Sequence, residues 1–227
     1  MPRLPFACLF FAGLALTGRA GEDAAYAQMA PEKFAALPAL RRPIDLADCD
    51  RALLAAAVFH ETNRVRKEHG FRPLRHDPRL DEAADLQAGM AAMSGRYDHS
   101  NPLRGRETVA DRAREAGLPE GLVAENVATT PALELDPELG VSIQHHGNER
   151  IFRDPRTGRP PPPRTYASLA RQVVAQWMDS PRHRANILNR ELRALGCSVR
   201  HTKAASGLDL LVSVQVFHTP VGGLTAK

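Results

Sequence analysis

Aromatic residues make up only 5% of this chain, and no basic stripe is interleaved with them. The usual footprint of a nucleic-acid surface is therefore missing. The 30 Lys and Arg set against 26 Asp and Glu leave a formal charge of +4, mild and spread along the chain. That excess permits attraction to acidic lipid or cell-wall polymer without indicating it. Cysteine is scarce, with Cys8, Cys49 and Cys197 alone. No apolar run after the first residues is long enough to cross a bilayer. The sequence also lacks His-Glu-x-x-His, Gly-x-Ser-x-Gly and a phosphate loop, which removes the short signatures of zinc peptidases, serine hydrolases and nucleotide-binding enzymes. Neither Cys49 nor Cys197 has a neighbouring histidine motif that would make it a nucleophile, and no repeat of fixed period is present.

What is present begins at the front. Met1-Pro2-Arg3 supplies one positive charge, and an almost unbroken apolar run follows from Leu4 to Leu16. That is the length of a signal-peptide hydrophobic region and too short for a spanning helix. Small residues come next at spacings a signal peptidase accepts: Gly18-Arg19-Ala20 and, better, Ala25-Tyr26-Ala27. Residues 1–27 thus predict a cleavable leader and a secreted or periplasmic product. Cys8 lies inside the apolar block rather than after it, which argues against a lipid anchor. Removing the leader leaves 200 residues, enough for one domain with a real core. Cys49 and Cys197 remain, and an oxidising compartment allows them a disulfide. Two buried thiols are the other reading.

Asp45 to His69 predicts a long amphipathic helix, with Leu54, Val58 and Val65 at helical spacing, Asp45 or Asp48 as its cap and Gly70 at its end. Glu61 falls in line with that apolar stripe, an odd place for a charge. Asp77-Pro78 starts a second helix that runs to Gly95, and Thr108 to Ala116 reads as a shorter third. Residues 131–167 hold Pro131, Pro137, Pro155 and the run Pro160 to Pro163, which predicts a long loop or insertion. Ser168 to Met178 is a fourth helix, with Leu169, Val173 and Trp177 on one face, and Ser180-Pro181 restarts a short helical turn. Leu195 to His201 and Leu210 to Phe217 are strands, joined through Ala205-Ser206-Gly207. Helices first and an antiparallel sheet at the end predict a layered α+β fold.

Three stretches are too polar for their surroundings to be idle. They are Tyr97-Asp98-His99-Ser100-Asn101-Pro102, Ala124-Glu125-Asn126-Val127-Ala128, and Trp177 through Leu188 with its Ser180-Pro181-x-His183-Arg184-x-Asn186 core. In this order, with Asn63-x-x-Arg66, Leu74-x-x-Asp77-x-x-Leu80 and Gln215-x-Phe217, they resemble the CAP superfamily. That group contains cysteine-rich secretory proteins, antigen 5 and pathogenesis-related proteins, and the resemblance is strongest to its bacterial branch. It covers roughly residues 52 to 218, which places a CAP domain at 45–220 between an N-terminal extension, 28–44, and a C-terminal tail, 221–227.

The resemblance implies a three-layer α-β-α sandwich around a central antiparallel sheet, with a cleft lined by two histidines and acids. Carried over by position, these are His99, His183 and Glu125, with Asn126, Asp179 and Ser180 beside them. Many relatives place a second glutamate three positions after the helix-four tryptophan. Here that position is Ser180, and Asp179 is the nearest acid, so the four-residue site is incomplete or rearranged. Ala124 also stands where glycine is common. Two neutral imidazoles and a carboxylate suit Zn²⁺ or another divalent ion, with His99 and His183 as ligands. Glu125 could then ligate, fix a histidine's tautomer, or act as a base without metal. The bland alternative is a polar network tying loops to the sheet. His145-His146 lies in the proline-rich insertion and reads as surface. The expected function is a secreted, monomeric, non-enzymatic module that binds a small ligand, lipid, peptide or metal-dependent partner in its cleft. The competing readings are a metal-dependent hydrolase using Glu125 as base, and a cell-envelope scaffold with a vestigial cleft.

Overall fold

The computed structural model describes residues 25–136, 138–147 and 149–223. The apolar leader and the Gly18-Arg19-Ala20 site lie outside the described residues, as does most of the expected C-terminal tail. A helical turn at 25–28 is followed by two short elements: α1, Pro31–Ala35, and a 3₁₀ turn, Pro38–Arg41. They bury Phe34 and Leu40 in the main core, so the segment expected as an extension is packed structure.

Helix α2, Arg51–Glu68, starts six residues later than the sequence predicts. The side chain of Asp45 accepts the Ala47 N–H in a local turn, a use of aspartate that competes with helix. Asp50 is the cap instead, accepting from the Leu53 N–H. Asn63 on this helix bonds both the N–H and the carbonyl of Leu74. Buried Arg66 donates to the carbonyls of Arg72, Ile187 and Asn189, and burial pulls its pKa down to about 10. Those bonds give the Asn63-x-x-Arg66 pattern its physical meaning: the helix holds two loops by their backbones. Glu61 is mostly buried on its helix and pairs with Arg64.

The two-residue strand β1, Arg75–His76, leads into α3, Pro78–Ser94, which Asp77 caps and Gly95 closes at φ 68°. Helix α4, Val109–Glu115, opens on a reciprocal Thr108–Asp111 capping box. Strand β2, Gly121–Pro131, follows. The proline-rich stretch is more than a loop. It holds a hairpin of β3, Ser142–His146, and β4, Glu149–Arg153, and its ends are tied by a Leu133–Pro163 bridge. His145 and His146 on β3 are exposed, as expected. Helix α5, Tyr166–Asp179, starts on a Thr165–Ser168 capping box, and α6, Pro181–Ile187, follows at once. Strands β5, Ala194–Lys203, and β6, Asp209–Pro220, end the fold before a last turn, Val221–Gly223.

The main sheet has the order β1-β5-β6-β2. Its three long strands are antiparallel, but β1 pairs parallel with β5, so the sheet is mixed rather than purely antiparallel. Alternation along β6 divides the two cores. Leu211 and Phe217 face α2 and α5 together with Trp177, while Val212, Val214 and Val216 face α3 and α4. The protein is thus an α-β-α sandwich of the α+β class. Close approach of α3 to the sheet depends on Ala83, Ala84, Ala88 and Ala91, all fully buried, and on Gly196. A Cβ on Gly196 would lie 2.3 Å from the Leu80 and Asp81 backbone.

The disulfide left open for Cys49 and Cys197 is not made; both are free thiols. Cys197 sits inside the main core on β5, and burial drives its pKa well up. Cys49 is half-buried ahead of α2, where burial also raises its pKa despite a bond to Tyr166.

Candidate functional site

Strand β2 is the free edge of the sheet, and loops from both helical layers meet there. Glu125 is the fifth residue of that strand. Successive side chains of a strand point to opposite faces, so Glu125 and Asn126 serve different layers. Glu125 turns toward α4, where its Oε2 accepts from Arg112 Nη2 at 2.5 Å. Both side chains are almost wholly removed from solvent, at 2% and 0%. Arg112 also donates to the Arg106 carbonyl, leaving its Nε buried without a partner.

The other oxygen of Glu125 meets His99 Nδ1 at 2.9 Å. His99 follows α3 in an exposed turn, and its side chain is 58% exposed. A carboxylate only accepts, so neutral His99 carries its proton on Nδ1 and presents Nε2 to solvent. The Glu125 bond raises the His99 pKa above the usual imidazole value, against the opposing effects of burial and Arg112. His183, half-buried on α6, has its ring centroid 6.3 Å from that of His99. Its pKa is lowered, chiefly by burial and then by the charge on His99.

Asn126 faces the opposite layer and is fully buried. Its Nδ2 donates to the His183 carbonyl and to Gln215 Oε1, both at 3.2 Å. Its Oδ1 accepts from Asn186 Nδ2 at 2.9 Å, and Asn186 also reaches the Glu125 carbonyl at 3.2 Å. Gln215 continues the chain to Thr62 on α2. Asn126 therefore holds the backbone that carries His183, while Arg112 and Glu125 hold the ring of His99.

Of the residues expected at the site, the structure joins His99, Glu125, His183 and Asn126. Asp179 is exposed at the end of α5, and among the described residues no hydrogen bond or ion pair links it to the histidines. Ser180 serves as the junction of α5 and α6, its carbonyl accepting from the Arg184 N–H. Arg112 is the residue that sequence reasoning missed. It lies among Arg104, Arg106 and Arg114, and nothing in its local pattern separates it from those neighbours.

Two imidazoles sharing one tetrahedral zinc ion at roughly 2.0–2.1 Å would place their ring centroids about 5–5.5 Å apart. The observed 6.3 Å is wider than that, so the rings would have to close in to share an ion. Glu125 then fits the supporting role of a carboxylate that orients a ligating histidine. Yet among the described residues no group of three or more His, Cys, Asp or Glu could hold a metal. Two imidazole nitrogens by themselves do not make a closed structural site.

A family model described as the cysteine-rich secretory protein family, CAP, matches residues 59–217. Among solved structures, an extracellular protein containing an SCP domain from Bacillus anthracis is similar at 18% identity and a TM-score of 0.50. The match covers 74% of this chain and 41% of that longer one. An outer surface protein of Borrelia burgdorferi is 16% identical at a TM-score of 0.45, with 72% and 90% covered. The CAP domain of enterococcal PrgA is 16% identical at 0.47, with 93% and 83% covered. No curated protein matches this sequence. That family match spans well over half of the sequence, and the chain belongs to the cysteine-rich secretory protein (CAP) family.

Proposed function

We propose that this chain is an exported, non-enzymatic CAP module that binds a ligand at the His99–His183 surface. One observation carries the reading. An exposed imidazole is held by a buried Glu125–Arg112 pair, with a second imidazole beside it at 6.3 Å between centroids. Burying two charges to orient one surface ring costs solvation, an arrangement suited to presenting that ring's free nitrogen. Glu125 is a poor general base here, because both its oxygens already accept bonds and solvent does not reach it. That favours binding over the hydrolase reading. A ligand with an anionic or hydrogen-bonding group, or a divalent ion with a partner's ligands, suits two imidazoles. Export is supported by the apolar leader, and among the described residues no helix is long and apolar enough to cross a membrane.

The test is native mass spectrometry of the protein recovered from its own host's medium or periplasm, beside His183→Ala. A bound mass present in wild type and lost in the variant supports the proposal. Bare polypeptide in both, with no Zn²⁺ uptake by calorimetry, would leave the scaffold reading in its place.

A further inference from the structure

We propose that export processing cuts after Ala20 and leaves Tyr26 and Ala27 in the mature domain; this rests on the export reading above. By sequence pattern alone Ala25-Tyr26-Ala27 is the better peptidase site, but the fold uses those residues. Ala25 to Gln28 form a helical turn laid against α2. Ala27 is 8% exposed and belongs to the main core. It also closes one side of a cavity of about 190 Å³ whose lining includes Ala52, Ala55 and Phe59.

Tyr26 is tied at both ends. Its carbonyl lies 2.9 Å from His60 Nε2, and its hydroxyl donates to Asp50 Oδ2 at 3.3 Å. Asp50 is the cap of α2, and its other oxygen accepts the Leu53 N–H. His60 is fixed in turn, stacked on Phe34 at 4.0 Å and edge-on to Phe59 at 5.4 Å. A chain starting at Gln28 would lose the partner of His60, one partner of Asp50 and one wall of that pocket. The peptidase reads an unfolded chain, so burial does not block the second site. The structure instead indicates which product the fold requires. Spacing agrees: Ala20 comes four residues after the apolar run ends at Leu16, and Ala27 comes eleven after it. A cleavage motif belongs next to its apolar region.

N-terminal sequencing of the exported protein tests this directly. A chain beginning at Gly21 is expected. One beginning at Gln28 would overturn the inference while leaving export intact, and one beginning at Met1 would overturn both. A second measurement compares thermal unfolding of purified chains that begin at Gly21 and at Gln28. The shorter chain should unfold more than about 4 °C lower, and equal midpoints would remove the packing argument.

Discussion

His99 and His183 are close neighbours with pKa values shifted in opposite directions, because one ring bonds a buried carboxylate while the other is partly buried and lies beside the first ring. The raised His99 pKa means that its contribution to stability is complete below the unfolded value of about 6.5 and is lost as pH rises through the folded value. His183 has the reverse sign. Its lowered pKa makes the fold lose stability as pH falls from about 6.5 toward the folded value. The rings should therefore titrate in two separate steps, one above and one below 6.5, readable from imidazole proton shifts by NMR. Glu125→Gln should bring the His99 step down toward the ordinary value; an unmoved step would deny the carboxylate its part. Arg112→Met should cost about 3–5 kcal/mol in urea unfolding, since it strands a buried carboxylate. Adding Glu125→Gln to it should recover part of that loss. Strictly additive losses would mean that the two side chains do not act as a pair.

Helices and strands followed local rules closely where those rules are short-ranged. The Asp77-Pro78 start and the Gly95 end of α3 are visible in the sequence because cap and stop act within one turn. The start of α2 was misplaced because three aspartates precede it and only contacts decide among them. Asp50 accepts from the Leu53 N–H and is also reached by Tyr26, whereas Asp45 spends its carboxylate on its own turn. The hairpin inside the proline-rich stretch was hidden because the prolines masked two short strands. At Gly196 the sheet and α3 touch without a side chain between them. Gly196→Ala should consequently destabilise the protein by about 1–3 kcal/mol or more through overpacking. Chemical denaturation measures it, and a neutral result would show that α3 can shift outward at little cost.

At the level of the whole molecule, two helical layers close over a sheet whose inner strand β6 is buried from Leu211 to Thr219. The hairpin of β3 and β4 stands apart from that core, with β3 exposed along its length. The turn after it, from Arg153 to Arg159, is largely exposed and is held by local bonds of Arg153, Asp154 and Thr157 and by a surface ion pair of Arg156 with Asp136. Trypsin should cut there first, leaving two fragments that stay associated through the sheet. Mass spectrometry of a brief digest identifies the site. First cleavage within α2 or between β5 and β6 would contradict this distribution of stability.

The sequence by itself determined the layers, the chain family and both ends of α3. Periodicity, capping and motif order all act between near neighbours, so they can be read along a line. Only the tertiary structure decided that His99 meets Glu125 across 26 positions and that Asn126 holds the His183 carbonyl across 57. It also selected Arg112 from several similar arginines, left Cys49 and Cys197 as free thiols, and packed Tyr26 against a core that contains Ala27. Each of those outcomes depends on which surfaces pack together. A buried charge must find its partner wherever the packing leaves one, and no local pattern records that choice.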